Sequence, residues 1–145
     1  MYKKLVLKNL LATLRAAEGS KMWQNLYLSD KNGVEFDAVG GGERSCALFA
    51  SSILAAFGLI DASHATVKTT VIKLQEAGWV KISTPQVGAL VEYPEKDGHP
   101  HIGFVIGENE VISNNSELKV PKTHQLTMDD GRQPIAFWWH EQLTT

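Results

Sequence analysis

The chain has 145 residues and a mass of 16.0 kDa, enough for a single domain, residues 1–145, with an apolar core that needs no disulfide or metal staple. A formal charge of -2 and a pI near 6.2 argue against a basic nucleic-acid footprint and a polybasic membrane anchor. The single cysteine excludes an internal disulfide and any multi-cysteine zinc site.

At the N-terminus Lys3 and Lys4 stand ahead of Leu5, Val6 and Leu7, as in a secretion signal, but Lys8 and Asn9 break the apolar run and no small-residue cleavage site follows. Leu7, Leu10, Leu11 and Leu14 recur at helical spacing and predict an amphipathic helix ending near Gly19. No run approaches the roughly 18 apolar residues of a membrane span. The expectation is a chain that is cytoplasmic as synthesised, has no membrane partner, and could leave the cell only by a non-classical route.

The stretch from Ser29 to Glu43 is rich in turn residues, with Asn32-Gly33 marking a tight turn and Gly40 to Gly42 giving the backbone latitude before the next helix. That helix is expected to take Ser45 as its N-cap and to end near Gly58. Cys46, Phe49, Ile53 and Phe57 fall on one stripe of it, so the sulfur points at whatever the helix packs against. A further helix fits residues 63–78, with Ser63 as a possible cap, Val67, Val71 and Leu74 on one face, and Gly78 as the stop. Beyond Gly78 the period changes to short strands at 79–82, 88–93, 101–107, 110–114 and 135–139. The third and fourth read as a hairpin turning at Glu108-Asn109, which requires antiparallel neighbours. The fold class expected is α+β: helices first, packed on a mostly antiparallel sheet whose large apolar groups are Trp79, Phe104, Phe137 and Trp138 or Trp139.

Cys46 is either the first core residue of its helix or a nucleophile. In the first turn its sulfur lies near unpaired N–H groups and the positive end of the helix dipole, which lower a thiol's pKa. A nucleophilic thiol needs a base. His64, His124 and His140 sit near element ends or in loops and read as surface residues, whereas His101 opens a strand that can meet the start of the helix, and is the candidate base. His99 and His101 flank Pro100, too few ligands for zinc, so neither metal nor cofactor is expected. With the turn centred on Glu108 and Asn109, Gly107 pairs with Glu110, Gly103 faces Asn114, and Asn114 shares a sheet face with His101, where its oxygen can orient the imidazole. A one-residue difference in the loop gives that place to Asn115.

This pattern resembles the papain-like peptidases and amidases of the NlpC and CHAP type that cut bacterial peptidoglycan. The resemblance runs from Gly40 to Asn115 and rests on a cysteine opening a helix in RSCALFASSIL, a tight PQVGALVEY leading into a strand, and HIGFVIG followed by a polar residue on the next strand. It implies a papain-like domain and a thiol hydrolase cleaving amide bonds, an amidase or endopeptidase acting on peptidoglycan stem peptides. Cys46 would attack the carbonyl, His101 act as base, and Asn114 or Asn115 orient it. Two other readings fit the same groove: a thiol hydrolase or acyltransferase with another substrate, and a catalytically silent module that holds a peptide.

Overall fold

The computed structural model describes residues 1–144. Three α-helices precede a six-stranded antiparallel sheet, an α+β arrangement. Helix α1 (Val6–Ala16) is followed by a small hairpin of β1 (Tyr27–Ser29) and β2 (Glu35–Asp37), then by α2 (Cys46–Ala56) and α3 (Val67–Glu76). The large sheet holds β3 (Val80–Ile82), β4 (Leu90–Lys96), β5 (His99–Gly107), β6 (Glu110–Asn115), β7 (Val120–His124) and β8 (Ala136–Trp139) in the spatial order β3-β8-β4-β5-β6-β7. Among the described residues no helix is long and apolar enough to cross a membrane.

Helix α2 is the centre of the packing. It touches α1, α3, β5 and β6, and Ala47, Leu48, Phe49, Ala50, Ser51, Ile53 and Leu54 are all buried. A helix covered on so many sides has no need of a polar face, which is why its sequence is apolar almost all round. Phe49 meets Phe104 of β5 edge-on at 6.0 Å between ring centres and Trp23 at 4.9 Å, joining the helix to the sheet on one side and to the segment after α1 on the other. Phe57, at the end of the expected stripe, is only partly buried.

The caps differ from those read in the sequence. Ser45 is buried, and its hydroxyl donates to the carbonyl of Trp23 instead of capping α2. Thr66, not Ser63, caps α3: its backbone is extended and its Oγ1 accepts from the Thr69 N–H at 3.2 Å. No strand is expected from the sequence at β7, which contains Pro121. At the edge of the sheet a proline's missing N–H removes no ladder bond that another strand needs.

The hairpin turns at Glu108-Asn109 and pairs Gly107 with Glu110, as expected, but a bulge follows at once. Phe104 pairs with Ile112 and Val105 with Val111, so the register beyond the bulge is one residue off a regular ladder. Every side chain of β6 from Val111 onward therefore faces the opposite side from that expected.

Candidate functional site

Cys46 is the first residue of α2 and is partly buried. Its Sγ faces the Pro100 carbonyl oxygen at 3.9 Å, and the Ile102 N–H favours its thiolate. Both groups belong to β5 where its ladder with β6 has ended, at Phe104–Ile112. The helix thus delivers its sulfur to the β5 backbone beside His101. Burial pushes the thiol up to about 11, against the weaker pull of the Ile102, Ala47 and Cys46 N–H groups and of Arg132. The lowered thiol pKa expected from the helix start is reversed, because loss of water outweighs the few amides of the first turn.

His101 is buried, 9 % exposed, and pairs across the sheet with Tyr93. Its Nε2 lies 2.8 Å from Ser113 Oγ, which lies 2.7 Å from His124 Nε2, while His124 Nδ1 lies 2.7 Å from the Gln125 carbonyl oxygen. That carbonyl only accepts, so His124 Nδ1 carries a hydrogen and, in the neutral ring, Nε2 is an acceptor. Ser113 O–H then donates to His124, and Ser113 Oγ accepts from His101 Nε2–H. The chain of bonds leaves the lone pair of His101 on Nδ1. Among the described residues no buried side-chain nitrogen or oxygen lacks a partner, so Nδ1, which makes no hydrogen bond, opens onto the cleft. Burial, helped by Arg132 and His124 and opposed by Asp130, pushes His101 down to about 3. The resting pair is a neutral thiol and a neutral imidazole.

Tyr93 floors this chain, its ring centre 5.9 Å from His101 and 6.1 Å from His124, with its hydroxyl donating to the Leu126 carbonyl at 2.8 Å. Burial raises its phenol, which stays protonated. Gly103 makes the approach of Ser113 feasible: a Cβ there would stand 2.8 Å from both the Ser113 Cβ and the Ile112 carbonyl oxygen.

Neither asparagine stands where the sequence suggested. Asn114 is buried on the other side of β6, and its amide donates to the Gly42 carbonyl at 2.8 Å, tying down the glycine turn that leads into Cys46. Asn115 Oδ1 accepts from the N–H groups of Glu117 and Leu118 at 3.0 and 2.8 Å and shapes the turn into β7. The bulge is the reason, since it brings Ser113 to the face of His101 and turns Asn114 away. Ser113 and His124 are the two residues that sequence reading missed. The alternation of Val120, Lys122 and His124 after a polar turn was the one available signal for His124, and Pro121 obscured it. Of the other histidines, His64 pairs with Asp61 at 2.8 Å, and His140 bonds the Ala77 carbonyl at 2.9 Å beside Trp79.

Cys46, His101, Ser113, Asn114 and His124 all line one cleft of about 700 Å³. Its walls carry charges of both signs, with Arg44, Lys96 and Lys122 facing Glu43, Glu117 and Asp129. Arg132 also lines it, donating to the carbonyls of Pro94 and His99 at 3.0 and 2.7 Å and pairing with Asp130 at 3.0 Å. No protein-family model matches the chain, and no curated protein matches it in sequence.

Proposed function

We propose that the protein is a papain-like thiol hydrolase of the NlpC and CHAP type that cleaves amide bonds, with Cys46 as nucleophile and His101 as base and acid, and that its substrates are peptidoglycan stem peptides. The observation that carries this reading is that the lone cysteine and His101, whose Nε2 is held by Ser113, line one cleft. A core cysteine needs neither the cleft nor the oriented histidine.

The chemistry runs from a neutral pair. Nδ1 of His101 takes the thiol proton as Sγ bonds to the amide carbonyl carbon, and the N–H groups at the start of α2 receive the developing oxyanion. The imidazolium returns the proton to the amine nitrogen as the C–N bond breaks, leaving a thioester on Cys46. Water, deprotonated by the same Nδ1, then releases the acid and restores the thiol. Mixed charge along the cleft suits a stem peptide, which carries amines and carboxylates on one short chain.

Mass spectrometry of cell-wall fragments incubated with the protein tests the proposal. The expected result is a new amine and carboxylate pair at one amide, absent with Cys46→Ala and with His101→Ala. Intact fragments, together with failure of a peptide thioester to acylate Cys46, would overturn it. One observation favours a second reading, a silent peptide-binding module: the thiol faces Pro100, not the imidazole. That reading expects fragments to bind by calorimetry and leave unchanged.

A further inference from the structure

We infer that His124, acting through Ser113, is a positioning residue that sets the tautomer of His101 and switches the base off when His124 is protonated. This rests on the catalytic reading of the same site. Ser113 Oγ holds one hydrogen and stands between two ring nitrogens at 2.8 and 2.7 Å, so it can donate to only one of them. With His124 neutral and its Nδ1–H fixed on the Gln125 carbonyl, Ser113 donates to His124 and His101 keeps its hydrogen on Nε2. With His124 doubly protonated, both of its nitrogens donate. Ser113 Oγ then accepts from His124, and its own hydrogen keeps a partner in this chain of bonds by turning toward His101 Nε2, which moves the His101 hydrogen to Nδ1, the nitrogen that has to receive the thiol proton.

The change balances as a shift of each proton by one place. A solvent proton binds Nδ1 of His101, the Nε2 proton passes to Ser113 Oγ, and the Ser113 hydroxyl proton passes to His124 Nε2. No oxidant, metal or further base takes part.

Of the two rings, His124 is the easier to charge. It is half-buried where His101 is buried; burial lowers the pKa of both rings, but at His124 the hydrogen bond to the Gln125 carbonyl and the charges of Asp129 and Asp130 oppose it. The other groups around it are Tyr93 of β4, His101 of β5, Ser113 of β6 and the Gln125 carbonyl, all uncharged at neutral pH, while the cationic Arg132 acts chiefly on His101. His124 thus passes cleft acidity to a base whose own cation burial disfavours.

The test is a titration of the wild-type protein with ¹⁵N-labelled histidine rings, read by long-range ¹H–¹⁵N NMR, which needs no turnover. The expected result is a protonated His101 Nε2 near neutral pH that exchanges its signature with Nδ1 as His124 takes up its proton. In His124→Gln, whose amide oxygen still accepts from Ser113 but does not titrate, that exchange disappears. The acid limb of kcat then moves down by about one pH unit or more. A His101 that keeps Nε2–H throughout the titration of His124, or an acid limb unmoved in His124→Gln, overturns the inference. If the tautomers exchange as described and no amide is ever cut, the hydrolase reading fails and the relay stands.

Discussion

The strands β5 and β6 share one backbone path and carry two chemistries. On the face covered by α2, Phe104 and Ile112 pair within the apolar core and Phe49 of the helix packs on them. On the opposite face His101, Ser113 and, from β7, His124 form a line of hydrogen bonds over Tyr93. Consecutive residues of β6 therefore support different halves of the site: Ser113 holds the base from one side, and Asn114 holds the turn before the nucleophile from the other. The two faces can thus hold a helix-borne cysteine and a strand-borne histidine independently, and both side chains line the cleft where the β5–β6 ladder has ended.

Acid exposes that difference most strongly. The ordinary histidine pKa is 6.5, and folding pushes His101 down to about 3, so between these values the unfolded chain binds a proton that the native protein refuses. Stability from this group is complete above about pH 6.5 and declines as the pH falls toward 3, by on the order of 5 kcal/mol at most. His124, also lowered by burial, acts in the same direction. Urea unfolding as a function of pH should show a loss that is much reduced in His101→Gln. An equal acid loss in that variant would assign the effect to the carboxylates.

A second way to break the comparison is to close the gap through which the two strands approach. Gly103→Ala places a methyl 2.8 Å from the Ser113 Cβ and from a backbone oxygen that cannot move without its strand. The expected cost is about 3 kcal/mol of stability, read by denaturant midpoint, with the apolar face of α2 left intact. A neutral result would mean that β6 can withdraw, and the His101–Ser113 bond would then lengthen.

The apolar face was legible in the sequence. Phe49 and Ile53 fix the buried side of α2, the short β-type run at residues 101–107 fixes a strand, and Glu108-Asn109 fixes the hairpin, because local composition and turn chemistry decide them. The polar face was half legible. Cys46 and His101 stood out as a helix start and a strand mouth, but the residue that orients His101 depends on a bulge that no residue type announces. A shift of one position exchanged Asn114 for Ser113, and a proline hid the edge strand that brings His124. The thiol pKa was misjudged for a related reason: the helix dipole is visible in sequence, whereas the packing that removes water from the sulfur is tertiary.

The chemistry of that sulfur sharpens the comparison further. A thiol pushed up from 9.0 to about 11 carries far less thiolate near neutrality, so iodoacetamide should react with Cys46 on the order of a hundredfold more slowly than with a model thiol. The rate should keep rising beyond pH 9, and with one cysteine in the chain the signal has a single source. Rapid alkylation at mildly acidic pH would show instead that the resting pair is thiolate and imidazolium.

The smallest effect is the most discriminating, because it sets two neighbouring residues against each other. Ser113→Ala and Asn114→Ala each remove one buried polar side chain and leave a partner unmet, and each should cost about 1–2 kcal/mol. Their consequences diverge by face. Without the Ser113 hydroxyl, His101 and His124 lose their only bridge, and their ring ¹⁵N titrations should become independent while the glycine turn stays protected. Without the Asn114 amide, the two histidines should titrate as in the wild type, while amide exchange quickens at Gly42 and at the residues entering α2, where the Gly42 carbonyl has lost its donor. If Asn114→Ala disturbed the histidines and Ser113→Ala freed the turn, the register of β6 would be the one-residue alternative, and the two faces would exchange their roles.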